Sequence, residues 1–236
     1  CCLMECAAMT LKSPVRVASS LKRLKQSLHF MNLMVQVMAT IIGILIALGL
    51  DQLKVARQNR RNAAQALGFI VSDMEANQRR LAKTLESFGS NEKAAMDNLA
   101  FLQACRKRTL APVGKETIHA FPTLSLTILQ SASWETAVAS QTASHLEMGR
   151  VQKLAAIFEL QRKFEEAQSD LLRKGSIRAR FAVLNQEPSH AASLSSAEVR
   201  GLEYDLIDWY SLLQNAKVLG EALQEAYQET LPICRS

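Results

Sequence analysis

The longest apolar pattern in the chain is unbroken rather than periodic. From Phe30 to Leu50, 21 residues carry no charge. A helix rises about 1.5 Å per residue, so the run covers about 30 Å, the thickness of a bilayer's hydrocarbon core. A cleaved secretory signal has an apolar stretch of only about 7 to 15 residues, although Ala47, Leu48 and Gly49 have some of the character of a cleavage site. A core helix this apolar would need a large domain around it, and the rest of the chain is too polar to supply one. The run is therefore read as an uncleaved single span. Within it, Asn32, Gln36, Thr40, Gly43, Ala47 and Asp51 fall in an arc of about 100° on a helix. Small residues at four-residue spacing let helices approach closely in lipid, and amides can hydrogen-bond across the contact. This face predicts a helix–helix contact through Asn32, Gln36, Thr40, Gly43 and Ala47, most simply a homodimer. The alternative is chance, because Gly and Ala are common in spans. Asp51 is read as a boundary residue, since charge is costly at the bilayer centre and tolerable at its edge.

Beyond the span the pattern becomes helical. No Pro or Gly interrupts Asp51 to Leu67, so the membrane helix is expected to run on as a stalk. Leu67, Ile70, Met74, Asn77, Leu81, Leu85 and Phe88 follow three- and four-residue steps, the stripe of a packed or coiled helix. Asn77 inside that stripe is either a hydrated gap or a polar residue that fixes register or oligomer state. Gly89-Ser90-Asn91 is expected to stop this helix and cap a second one over 91–108, packed through Ala95, Leu99 and Leu102. Arg106, Lys107 and Arg108 suit the end of that helix, where cations favour the dipole.

Pro112, Gly114 and Pro122 mark a loop. Leu124, Leu126 and Ile128 alternate like a strand, but no partner strand is nearby, so 109–132 is read as irregular or a short helix. A short helix is expected over 134–140. Ser144 and Glu147 have capping-box spacing and predict a longer helix with Leu154, Ile157, Phe164 and Leu171 inward, ending at Gly175. Residues 176–194, containing Pro188, are read as a connection. Ser195 and Glu198 form another capping box, with Leu194 and Val199 as its staple. Leu202, Trp209, Leu213, Ala216, Leu223 and Tyr227 then make a long stripe, with Pro232 as its stop. The fold class is therefore all-α: one N-terminal transmembrane helix continuing into a stalk, then an antiparallel helical bundle. Its divisions are a basic tail (1–29), the span (30–50) and the extramembrane stalk and bundle (51–236).

Composition supports this reading. The chain of 236 residues is 48% hydrophobic but only 6% aromatic, which suits helices better than sheets. Its net charge of +6 is concentrated at one end: residues 1–50 hold Lys12, Arg16, Lys22, Arg23 and Lys25 against Glu5. That is a tail beside a span rather than the basic face of a nucleic-acid binder, so no nucleic acid is expected as a partner. Flanking cations are retained in the cytoplasm. Lys54, Arg57, Arg60 and Arg61 on the far side nearly balance the tail, but the first span usually dominates and long domains translocate regardless of charge. The N-terminus is accordingly placed inside. The first residue is not Met, and Met4 and Met9 are alternative starts.

Chemistry-bearing patterns are sparse. His29, His119, His145 and His190 are isolated, and there is no HExxH, GxSxG or phosphate-binding glycine loop. Glu165, Glu166, Asp205 and Asp208 read as surface charges, and Trp134 and Trp209 as core anchors. Cys1, Cys2, Cys6, Cys105 and Cys234 make no CxxC pair or zinc spacing. Cys105 and Cys234 are weighed as a disulfide if the bundle lies outside the cytoplasm, against two unrelated buried thiols. No catalysis, cofactor or metal is expected.

The stretch "IIGILIALGLDQL", followed by "NRRNAAQALGFIVSDMEANQRRL", resembles a group of small uncharacterised bacterial membrane proteins. "SASWETAVASQTASHL" is similar to their Ser- and Trp-containing segment before a long helix. That group often has Trp and Glu just after the span, where this chain has Gln52, Leu53 and Lys54. The resemblance implies a single-pass bacterial envelope protein with a helical outer part, and it carries over no activity and no catalytic residue. The sequence thus predicts a membrane-anchored helical scaffold or accessory module in a bacterial inner membrane. Its N-terminus would be cytoplasmic and its helical part periplasmic or extracellular. The bilayer and a second copy, or another membrane protein, are its expected partners. The rival is a sensor whose bundle binds a ligand and relays through the stalk to a partner.

Overall fold

A computed structural model describes residues 15–107, 118–187 and 193–235, with the side chains of residue 31, of 33–106 and of the two later stretches. The described residues fold into α1 (Val15–Lys107), α2 (Ala132–Ala139), a 3-10 turn (Thr142–His145), α3 (Met148–Arg173), α4 (Ser176–Gln186) and α5 (Ser196–Arg235), with no strand among them. Contacts divide the chain into two units, Cys1–Gln58 and Asn59–Ser236.

In the first unit, the large apolar side chains from Leu33 to Leu50 are all exposed, between about 46% and 62% of their surface.

In the second unit the buried positions repeat every seven residues. On α1 one column is apolar: Leu67, Met74, Leu81, Phe88, Ala95 and Leu102. The adjacent column begins with Ala63 and Ile70, then turns polar at Asn77, Thr84, Asn91 and Asn98, all buried. On α3, Leu154, Gln161 and Gln168 form one column and Ile157, Phe164 and Leu171 the other. On α5, Val199, Leu206, Leu213, Gly220, Tyr227 and Cys234 alternate with Leu202, Trp209, Ala216, Leu223 and Thr230. A sustained seven-residue repeat keeps one seam of a helix turned toward its neighbours. Gly220 sits at a close approach of α5 to α1 and α3. A Cβ there would stand 2.8 Å from Leu85 Cδ2 of α1 and 2.9 Å from Phe164 Cε2 of α3.

Polar pairs fix which parts of α1 and α5 meet. Glu92 accepts from Lys217 Nζ (2.6 Å), Gln214 Nε2 (2.7 Å) and Tyr210 Oη (3.5 Å). Arg106 pairs with Glu203 at 3.4 Å, and Arg235 pairs with Glu75. The short α4 is held to α5 by Arg180–Asp205 at 2.5 Å, beside Lys174–Asp208 at 2.9 Å.

The structure corrects four boundary expectations. Helix α1 does not stop at Gly89, because Ser90 Oγ and Asn91 Nδ2 bond the carbonyls of Glu86 and Ser87 one turn back and the buried columns continue to Leu102. Ser144 does not cap α3: it lies in the 3-10 turn with its hydroxyl on the Gln141 carbonyl, and α3 starts at Met148. Residues 176–186 are helix rather than connection, with Ile177, Phe181 and Leu184 buried at helical spacing. Helix α5 runs three residues past Pro232, where the missing N–H removes one bond in the last turn only. The Ser195–Glu198 box forms in both directions, at 2.8 Å and 3.3 Å.

Candidate interaction site

Residues 118–131 run between α1 and α2 without helix, turn or bend. Only Ile118 and Leu129 of this segment are buried, and it forms no main-chain ladder with the rest of the described residues, so its N–H and C=O groups need other partners. Side chains take the place of the neighbouring strand. Asn98 of α1 accepts from the His119 N–H and donates to the His119 carbonyl, both at 2.8 Å. Ser87 Oγ donates to the Thr123 carbonyl (3.1 Å) and accepts from the Ser125 N–H (2.8 Å). Gln168 of α3 grips both main-chain groups of Thr127, at 2.9 and 3.0 Å. Glu165 accepts from the Leu129 N–H at 3.0 Å. Asn77 grips both groups of Gln130, at 2.7 and 2.8 Å. Asp73 accepts from the Ser133 N–H at 3.3 Å, meeting one of the unbonded donors in the first turn of α2. Arg178 of α4 donates to the Pro122 carbonyl at 2.6 Å, and burial lowers the pKa of its guanidinium.

A carboxamide carries an acceptor and a donor at nearly the spacing of a peptide group. Asn77, Asn98 and Gln168 therefore act as fixed peptide mimics beside the segment. Behind them Gln161 accepts from Tyr227 Oη at 3.0 Å and from Asn77 Nδ2 at 3.4 Å. Tyr227 is fully buried, and burial pushes its phenol pKa far up, so it stays a neutral donor. Apolar anchors complete the seating: Ile118 and Leu129 are buried, and Phe121 packs edge-on against Trp209 and Phe181. The chemistry available is recognition of an extended polypeptide through its main chain.

Of the side chains that clamp the segment, sequence reasoning gave a fixing role only to Asn77. Glu165 is not a plain surface charge, whereas Glu166, Asp205 and Asp208 are exposed and ion-paired. The signal that could have found the clamps is the seven-residue polar column at 77, 84, 91 and 98. It continues an apolar heptad, as Gln161 and Gln168 do on α3.

The residues expected to make the span contact belong to the first unit. Gln36, Thr40, Gly43 and Ala47 are exposed on α1, and the Asn32 side chain falls outside the described residues. Thr40 Oγ1 already donates to the Gln36 carbonyl at 2.8 Å, leaving its lone pairs for a neighbour. A Cβ at Gly43 would meet nothing within 4 Å. Cys105 and Cys234 are not joined in a disulfide. Cys105 adjoins Arg106, which pairs with Glu203, while Cys234 adjoins Arg235, which pairs with Glu75. The two thiols are therefore separated by most of the stretch of α1 between Glu75 and Arg106, roughly 45 Å. A disulfide needs Cα atoms within about 7 Å, so one chain cannot make it. Burial raises the pKa of the Cys234 thiol. Among the described residues no three His, Cys, Asp or Glu side chains converge on a metal-sized site. No family model, characterised protein or solved structure matches the chain.

Proposed function

We propose that this chain is a membrane-anchored helical scaffold or accessory module that self-associates. It crosses a bacterial inner membrane once near its N-terminus, keeps the basic tail in the cytoplasm and presents an antiparallel helical bundle on the far side. The observation that carries this reading is the exposed apolar surface of α1 from Leu33 to Leu50. Leu33, Val35, Val37, Ile41, Ile42, Ile44, Leu45, Ile46, Leu48 and Leu50 would each contribute about −0.3 to −0.6 kcal/mol on insertion, roughly −3 to −6 kcal/mol together. The clamps support a structural rather than catalytic role, since their polar atoms are spent on holding the chain's own backbone. The resemblance to single-pass envelope proteins points the same way.

Membrane fractionation of the full chain tests the anchor. The wild type should resist an alkaline wash of bacterial membranes. Ile44→Asp, which costs about 3 kcal/mol at a helix centre, should release or mislocalise it. A wild type that washes out freely would end the proposal, and an N-terminal reporter active outside would reverse the topology. Gly43→Ile has room in the monomer, so a fall in cross-linking within the membrane would assign the span contact; unchanged cross-linking would remove it.

A further inference from the structure

Just past its apolar run, α1 carries a group of cations with no acid to answer them. Residues 52–72 hold Lys54, Arg57, Arg60 and Arg61 and no Asp or Glu. All four side chains are exposed, and none makes an ion pair among the described residues, with Asp51 one turn earlier or with any other acid. Helix α1 is continuous here, so about 3.6 residues per turn put the four within about 120° of one face. Their height follows from the apolar run. Half a hydrocarbon core is about 15 Å, or about ten residues of helix, so its edge falls near Leu50 when residue 40 lies at the middle. The Cα atoms of Lys54 and Arg57 then stand about 6 and 10 Å beyond that edge, and the headgroup layer is about 5–8 Å deep. Leu53 and Val55, on either side of Lys54, are also exposed. Side chains of a helix lean toward its N-terminus, which here means toward the membrane. Arg57 therefore reaches into the headgroup layer, and Arg60 and Arg61 lean back toward it.

We infer that Lys54, Arg57, Arg60 and Arg61 form a collar that binds the headgroups of anionic phospholipids, so that the anchor selects acidic lipid. The inference rests on the single span proposed above and names the lipid class around one end of it. An anionic headgroup supplies the negative charge that these cations lack within the chain, and a guanidinium takes two phosphate oxygens at once. A zwitterionic headgroup has the same phosphate but cancels its charge with an ammonium, so it would gain the collar little. Each cation near an anionic surface is worth about fivefold in association. The attraction persists over a Debye length, about 8 Å at physiological salt. Continuity with the apolar run favours lipid over an acidic protein or a nucleic acid, because the layer at this height is already filled with headgroups.

The test uses the full-length chain reconstituted in vesicles of mixed phosphatidylcholine and phosphatidylglycerol. Spin-labelled forms of each lipid report, by electron paramagnetic resonance, how much of it is held at the protein. Every chain carries K12Q, R16Q, K22Q, R23Q and K25Q, so that the tail cations cannot supply the selection. Labelled lipid is present in both leaflets, which makes the readout independent of topology. With the collar intact, phosphatidylglycerol should be held about fivefold more strongly than phosphatidylcholine. Adding K54Q, R57Q, R60Q and R61Q should bring the two lipids to parity, with thermal unfolding of the chain unchanged. So should 1 M NaCl on the collar-bearing chain, where the Debye length is about 3 Å. R57K, R60K and R61K together keep the charge and should keep the selection. Equal retention of both lipids by the collar-bearing chain overturns the inference, as does selection that survives the four glutamines. Inorganic phosphate that displaces the labelled phosphatidylglycerol better than NaCl of equal ionic strength would assign the cations to a free anion and overturn it too. A chain that holds neither lipid is outside the bilayer and loses the span as well, whereas one that holds both equally keeps the span and loses the collar.

Discussion

Asn77 shows how much one side chain can hold. It meets a main-chain donor and acceptor of Gln130 and touches Gln161, and the Asn77 and Gln161 side chains are both buried. Replacement by Leu keeps the size and removes the polar atoms. Each orphaned buried group costs about 1–3 kcal/mol, so Asn77→Leu should lower the unfolding free energy of the chain in detergent by about 2–5 kcal/mol. Denaturant unfolding measures this, and hydrogen exchange should show the Gln130 N–H opening first. A loss below about 0.5 kcal/mol would mean that solvent can replace the clamp. Trp209 is the opposite case. Its indole Nε1 is buried without a partner, so its packing against Phe121, with centroids 5.0 Å apart, outweighs an unmet donor.

The helices are matched to one another at close approaches such as the one at Gly220. Its absent side chain lets α5 lie against Leu85 and Phe164. Gly220→Ala gains helix propensity, worth about 1 kcal/mol, but forces the Phe164 ring to move, an overpacking cost of about 1–3 kcal/mol. The net expectation is a loss of up to about 2 kcal/mol, read from the unfolding midpoint. Gly220→Ala with Leu85→Ala should recover part of it. The heptad columns on α1, α3 and α5 explain why propensity breakers within α1 fail to stop it. Gly89 costs about 1 kcal/mol against Ala, less than the burial of Phe88, Ala95 and Leu102 around it returns.

At the scale of the whole molecule, the Asn59–Ser236 unit depends on pH through Glu92 and Lys217. The hydrogen bond from Lys217 holds the Glu92 carboxyl below its ordinary range, and the same bond raises the Lys217 ammonium. The Glu92 contribution is complete above the unfolded carboxylate pKa and is lost as pH falls through the lower folded value. The Lys217 contribution is complete below the unfolded lysine pKa and is lost as pH rises through the higher folded value. Stability from this pair should therefore be level across neutral pH and fall at both extremes, by about 1 kcal/mol. Glu92→Gln should remove the acid-side difference from wild type. An equal acid-side slope in that variant would assign it to other carboxylates.

The sequence by itself determined the long apolar run, the helical class, half of the buried positions of α3 and most of those of α5 and of the first half of α1's packed face. These follow from the period at which apolar residues recur, a local property that any packing partner must respect. The Ser195–Glu198 cap was legible for the same reason, since both members lie in one turn. Tertiary structure decided the rest. Ser144 and Glu147 have the same spacing but do not cap, because a 3-10 turn takes the Ser144 hydroxyl first. Asn77, Asn98 and Gln168 look like interruptions of an apolar stripe until 118–131 lies beside them. Their partners are 53, 21 and 41 residues away in sequence. Cys105 and Cys234 were a plausible pair until the helix register separated them. A side chain's hydrogen-bond partner depends on which distant backbone the fold delivers, and no local period encodes that delivery.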